Sequence, residues 1–302
     1  MPAPTQTLTL PDGRTIAWCE YGNPASTSPP IFYFHSYPSS RYEGALWHPF
    51  ALTHNLRIIS PDRPGAGLST HDPKRTLLSY PADVLSLASL LSIPQFRILS
   101  VSGGGPYAFA CLKTIPKTQC IGGSIVSSIY PLKFGKKGMS FVHQTVLLFS
   151  YWAAGFLGWA IDWELGSAAR NPDPEGLKAK MKKALQRLPH RDQDVLESSD
   201  FGNVMVDAAR ESFVKGGGEG VALESHLLTL DWGFELEDID LQGRELTIWH
   251  GRLDVNCPIG MAEKAATLLK GVDTRFLDEE GHSLVAHQTE AIVQSLIPVS
   301  PS

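Results

Sequence analysis

The chain has 302 residues, 43% of them apolar and 19% charged, and a formal charge of -5. This is a globular composition with enough length for a large core, as one domain with an insertion or as two domains, and it excludes a disordered chain. The acidic balance leaves no overall basic footprint, so nucleic acid is not expected as a partner. Cys19, Cys111, Cys120 and Cys257 are scattered without C-x-x-C spacing, as expected for free thiols in a reducing, cytoplasmic compartment. The first fifteen residues carry no basic segment followed by an apolar core, so no signal peptide is expected.

Residues 7–10 and 15–21 flank Pro11-Asp12-Gly13, whose Asp-Gly pair predicts a β-hairpin. Short buried strands are expected at 31–34, after a Pro-Pro break, and at 56–60, before Pro61-Asp62. Residues 77–91 place apolar side chains at helical spacing; 96–101 read as a strand, a helix-like stretch begins at Pro106 and continues over 108–115, and 121–129 read as a further strand. From about 131 to 232 the pattern is helical, including a lysine-rich helix at 176–188 with Lys178, Lys180, Lys182 and Lys183. Strand and helix then alternate again at 246–250, 261–269, 275–277 and 286–296. The alternation predicts an α/β protein with a mostly parallel central sheet, a core of residues 1–130 and 233–302, and an inserted helical cap of residues 131–232.

Residues 141–161 carry no formal charge over 21 positions, close to the length that spans a bilayer. His143, Gln144 and Ser150 within the run, and Asp162 and Glu164 just after it, argue instead for two cap helices with apolar inner faces. No stable membrane span is expected; a surface this apolar is a candidate contact for a homodimer or a membrane face. Trp152, Trp159 and Trp163 stand near helical spacing, which fits either plain cap packing or an aromatic roof over a substrate pocket.

The chemistry centres on residues 98–107, ILSVSGGGPY. Ser100-Val101-Ser102-Gly103-Gly104 has the form small-x-Ser-x-small between a strand and a helix, a relaxed G-x-S-x-G nucleophile elbow. A sharp turn lifts the serine oxygen clear of the backbone, and small neighbours avoid collisions across it. Residues 103–108 also fit G-x-G-x-x-A, the dinucleotide fingerprint, but that motif needs a ribose-binding acid about twenty residues on. There is no Asp or Glu between Asp83 and Asp162, so no such cofactor is expected. A glycine-rich turn without chemistry is the plainer alternative for the local motif.

A nucleophilic serine needs a base, and the base an orienting acid, in the order Ser, acid, His along the strand ends of such a sheet. Asp254 follows a strand and Gly251; His282 follows the next strand, about thirty residues later. The acid-free stretch from 84 to 161 denies the third member to the preceding loop, which favours Asp254. The oxyanion-hole donors expected from this arrangement are the N–H of Gly103 and, from the loop after the third strand, the N–H of Tyr37 with Pro38 behind it. His35, His250 and His287 are expected to be structural or solvated, and Cys257, without a dedicated base, is given no role. The histidines show no H-x-x-x-H spacing and the cysteines are isolated, so no metal and no cofactor are expected.

The stretches HSYPSSR from His35, PDRPGAGLS from Pro61, SVSGGGPYAFA from Ser100, HGRLDVNCP from His250 and EEGHS from Glu279 together resemble the serine α/β-hydrolases, the large group that includes esterases, cofactor-free haloperoxidases and epoxide hydrolases. The resemblance implies the α/β-hydrolase fold, with Ser102 as nucleophile, Asp254 as acid and His282 as base. Two departures stand out. Ser36 and Ser39 replace glycines of the family's His-Gly-x-Pro-Gly loop, and Ser102 stands where haloalkane dehalogenases and epoxide hydrolases carry an aspartate. Residues 62–67 match a family turn, read here as a structural bend with an internal ion pair. The expected activity is hydrolysis of an ester, lactone or related carbonyl in a small, modestly polar substrate. Two alternatives share the fold: a lyase, C–C hydrolase or cofactor-free oxygenase using His282 as essential base, and a ligand-binding receptor with incidental hydrolysis.

Overall fold

In the computed structural model, which describes residues 3–215 and 217–297, the Asp-Gly turn folds strand β1 (Gln6–Thr9) back onto β2 (Thr15–Gly22). Strand β2 pairs antiparallel with β4 (Arg57–Pro61), and every later pairing is parallel, through β3 (Ile31–Phe34), β5 (Phe96–Val101), β6 (Cys120–Val126), β7 (Glu245–Gly251) and β8 (Asp273–Leu277). The strand order is β1-β2-β4-β3-β5-β6-β7-β8. Strands β3, β5 and β6 are buried along nearly their whole length because both of their faces are covered. Helices α2 (Tyr80–Leu90), α3 (Gly105–Thr114) and α11 (Ile259–Leu268) pack into one core; α1 (His48–Thr53) and α12 (Val285–Gln294) pack into the other.

Element positions follow the sequence pattern closely, with three differences. The 3₁₀ turn Arg41–Trp47 and α1 after it were not foreseen; Trp47 is fully buried against Tyr33 there. Helix α3 starts at Gly105, one residue before the expected Pro106, and a Cβ on that glycine would meet Ser128 Oγ at 1.8 Å. Strand β6 ends at Val126, because Ser127 turns into the left-handed region at φ 44°.

Between β6 and β7 the described residues contain helices and no strand: α4 (Phe141–Trp152), α5 (Ala154–Ile161), a π-helical turn (Asp162–Gly166), α6 (Ser167–Ala169), α7 (Glu175–Leu185), α8 (His190–Gln193), α9 (Ser199–Ser212) and α10 (Gly217–Thr229). The apolar run is broken at Ala153 (φ -143°, ψ 45°), and no helix among the described residues is long and apolar enough to cross a membrane.

Buried ion pairs tie this insert to the sheet. Arg41, 1% exposed, donates to Asp62 and to Glu211 on α9 at 2.6 Å. Arg63, fully buried, donates through Nε to Glu224 on α10 at 2.7 Å, and Arg75 reaches the same carboxylate at 3.3 Å. The turn at 62–67 therefore holds no internal ion pair: Asp62 is paired with Arg41 and Arg63 with the insert. Gly67 (φ 50°) is required in that turn, since a Cβ there would lie 2.2 Å from Asp62 Oδ2.

Candidate active site

Strand β5 delivers Ser102 to the start of α3 at φ 50°, a left-handed conformation costly for a residue with a Cβ. The glycines after it are forced by contact. A Cβ on Gly104 would lie 2.2 Å from the Phe34 carbonyl oxygen, and one on Gly103 would lie 2.6 Å from Tyr37 Cβ and 3.4 Å from Tyr37 N. The elbow and the loop after β3 thus run against one another, with the backbone of Gly103 beside that of Tyr37.

Ser102 Oγ lies 3.0 Å from His282 Nε2, and His282 Nδ1 lies 2.8 Å from Asp254 Oδ2. Asp254 is 3% exposed in the loop after β7, where its other oxygen accepts the N–H groups of Asn256 and Cys257, both at 2.8 Å. Burial opposes its ionisation, but the adjacent His282 and these hydrogen bonds outweigh it and hold the carboxyl below the ordinary aspartate range. For His282, burial disfavours the imidazolium, and Asp254 more than offsets that, raising it above the usual imidazole value. The neighbouring acids face elsewhere: Asp278 pairs with Arg252 at 2.9 Å, and Glu280 with His287 Nδ1 at 2.8 Å.

His35 and His250 are fully buried and kept neutral by that burial; His35 Nδ1 lies 2.8 Å from the Ser36 carbonyl and His250 Nε2 lies 2.6 Å from that of Cys257. Cys257 borders the site, but burial pushes its thiol well up, so it remains protonated.

Three residues without a sequence signal complete the surroundings. Glu43, 1% exposed, accepts the Ser36 N–H at 3.1 Å on both oxygens, the Ser36 hydroxyl at 2.5 Å and the Tyr33 hydroxyl at 2.5 Å. Ser36 is thereby anchored directly before Tyr37. Asp192 on α8, also 1% exposed, accepts the N–H of His282 at 3.1 Å and of Ser283 at 2.7 Å, and a Cβ on Gly281 would lie 2.1 Å from its carboxylate. His143 on α4 faces the same space, where burial first and the nearby His282 second push it down to about 4.

These groups open onto a cavity of about 460 Å³ between the sheet and the insert. Its polar end holds Ser102, His282, Tyr37, Glu43 and His143; the remainder is mainly aliphatic, with Leu147, Leu165, Leu177, Phe213 and Leu228 among its walls. All four methionines after Met1, namely Met139, Met181, Met205 and Met261, line it, and no Lys or Arg does so among the described residues. Trp152, Trp159 and Trp163 do not. They are 77%, 61% and 68% exposed, because α4 and α5 turn Val146, Leu147, Ser150 and Ile161 inward and leave the tryptophans on the opposite face. The aromatic roof is corrected to an aliphatic one.

No protein-family model and no curated protein sequence matches the chain. Among solved structures it is similar to an esterase from Exiguobacterium antarcticum, at 17% identity and TM-score 0.66, over 98% of this chain and 99% of that one. It is similar to the enol-lactonase from Burkholderia xenovorans at 17% identity and TM-score 0.67, over 96% and 99%. A bromoperoxidase from Bacillus anthracis aligns at 15% identity and TM-score 0.65, over 97% and 99%. The sheet order and these likenesses define the α/β-hydrolase fold for this protein.

Proposed function

We propose that the protein is a serine hydrolase that cleaves an ester, lactone or related carbonyl through an acyl-enzyme on Ser102. The observation that carries this reading is the unbroken hydrogen-bonded relay from Ser102 through His282 to Asp254, opening into a largely apolar cavity. His282 Nε2 takes the serine proton as Oγ attacks the carbonyl carbon, while Asp254 holds the Nδ1–H tautomer and stabilises the imidazolium. The N–H groups of Gly103 and Tyr37 receive the developing oxyanion. His282 returns the proton to the leaving alkoxide, and a water activated by the same imidazole then hydrolyses the acyl-enzyme. Residues 131–232 act as the cap that shapes the substrate space. A wall of Leu and Met without cations selects an uncharged, largely apolar acyl or alkoxy group. Structural neighbours named as an esterase and an enol-lactonase support carbonyl hydrolysis.

An organophosphonate is expected to add one mass increment, on the peptide containing Ser102. Ser102→Ala and His282→Ala should each lower turnover to a similar residual rate, without additivity in the double variant. A lyase or cofactor-free oxygenase would instead lose activity in His282→Ala and keep much of it in Ser102→Ala. A Ser102→Ala variant retaining more than about a tenth of parental turnover would end the acyl-enzyme proposal.

A further inference from the structure

Every strongly exposed Phe, Tyr or Trp among the described residues lies between positions 141 and 163. Phe141, Trp152, Phe156, Trp159 and Trp163 are 82%, 77%, 59%, 61% and 68% exposed along the outer face of α4, α5 and the π-helical turn. The patch is continuous, with Phe149 against Phe156 at 6.2 Å and Phe156 against Trp159 at 5.7 Å between ring centres. These helices therefore have two apolar faces. The inner one, with Val146, Leu147 and Ile161, lines the cavity, and the outer one stands open. Elsewhere the strongly exposed large apolar side chains, such as Leu52, Leu90 and Leu253, occur singly or nearly so.

The segment that carries this face is basic where the chain as a whole is acidic. Residues 131–188 contain nine Lys or Arg and four Asp or Glu, a formal charge of +5, and Glu235 and Glu197, which pair from outside it with Lys133 and Lys182, bring the local excess to +3. Lys136 and Lys137 are exposed immediately before α4. The lysines of α7 stand at the other end, where Lys180 pairs at 2.5 Å with Glu164, the residue after Trp163. Tryptophan and phenylalanine flanked by lysine suit the boundary between acyl chains and anionic headgroups. A second copy of the chain would bring two such basic rims together, whereas an anionic surface neutralises one. Helices of 12 and 8 residues can lie in that plane and cannot cross it.

We infer that the outer face of α4 and α5 docks on an anionic lipid surface. The inference does not depend on the reaction assigned to Ser102, and its test uses no turnover. The full chain is mixed with phosphatidylcholine vesicles with and without about 30% phosphatidylglycerol and separated by flotation. It should float with the anionic vesicles, with blue-shifted tryptophan emission, and less so as salt is raised. Trp152→Ser/Trp159→Ser/Trp163→Ser should weaken flotation at least about tenfold. Lys136→Glu/Lys137→Glu should weaken it on anionic vesicles alone. Both variants should keep the parent's circular dichroism and Tm, since the replaced side chains are exposed. Four outcomes would overturn the inference: no flotation of the parent, equal flotation of the tryptophan variant, indifference to phosphatidylglycerol, or a lipid-free dimer that the tryptophan substitutions dissolve.

Discussion

In the proposed reaction Ser102 is activated only while His282 is neutral, so the proton affinity of one imidazole sets the acid side of the pH profile. Asp254 raises that affinity above the ordinary value of about 6.5. The rate constant kcat/KM should therefore fall as pH drops through a point above about 6.5. The stability linked to the same shift has the opposite direction: it is fully present below the unfolded value and lost as pH rises through the folded one. Asp254→Asn should move the acid limb downward and lower turnover by up to about 10⁴, with the fold intact. An unmoved limb in that variant would assign the imidazole to another acid. The grouping of Ser102, Asp254 and His282 was legible in the sequence because each follows a strand of the strand–helix alternation, although β8, with Asp273 and Arg275 exposed, is not an apolar one. Glu43 and Asp192 were not, since their partners lie on other elements and only tertiary packing brings them together. The tryptophans misled because helical spacing groups residues on one face without saying which face is covered.

The strand–helix alternation carried most of the architecture, since each buried strand and amphipathic helix announces itself locally. The placement of α8 was beyond that reach. This four-residue helix belongs to the insert, yet Asp192 on it accepts two N–H groups from the His282 loop, and its charge favours the imidazolium. Asp192→Ala should lower kcat more than it raises KM and shift the acid limb of the profile to lower pH. Asp192→Asn, which keeps an acceptor oxygen but no charge, should restore part of kcat while leaving the limb shifted. Identical profiles in the parent and both variants, followed by steady-state kinetics across pH, would show that α8 only packs.

Sheet and insert are joined by charges that cannot easily reach water. Glu224 is 4% exposed and pairs with both Arg63 and Arg75, so Glu224→Ala would leave two buried guanidinium groups without their shared carboxylate. A loss of about 3–5 kcal/mol is expected from denaturant titration; a loss below about 1 kcal/mol would mean that the insert moves off to hydrate them. The cavity beneath has a chemical liability of its own. Its walls hold every methionine after Met1, while the thiols of Cys111 and Cys257 are pushed well up by burial and react slowly as thiols. Hydrogen peroxide should thus record its damage as sulfoxides on the cavity wall, each thioether taking one oxygen and releasing water. A sulfoxide is polar and rigid where the thioether was pliant, so oxidised protein should lose its preference for apolar acyl groups before it loses its fold. Methionine sulfoxide reductase should restore that preference. Full oxidation of the half-buried Met181 and Met205, read by peptide mass, with an unchanged acyl preference would show that the substrate never touches this wall.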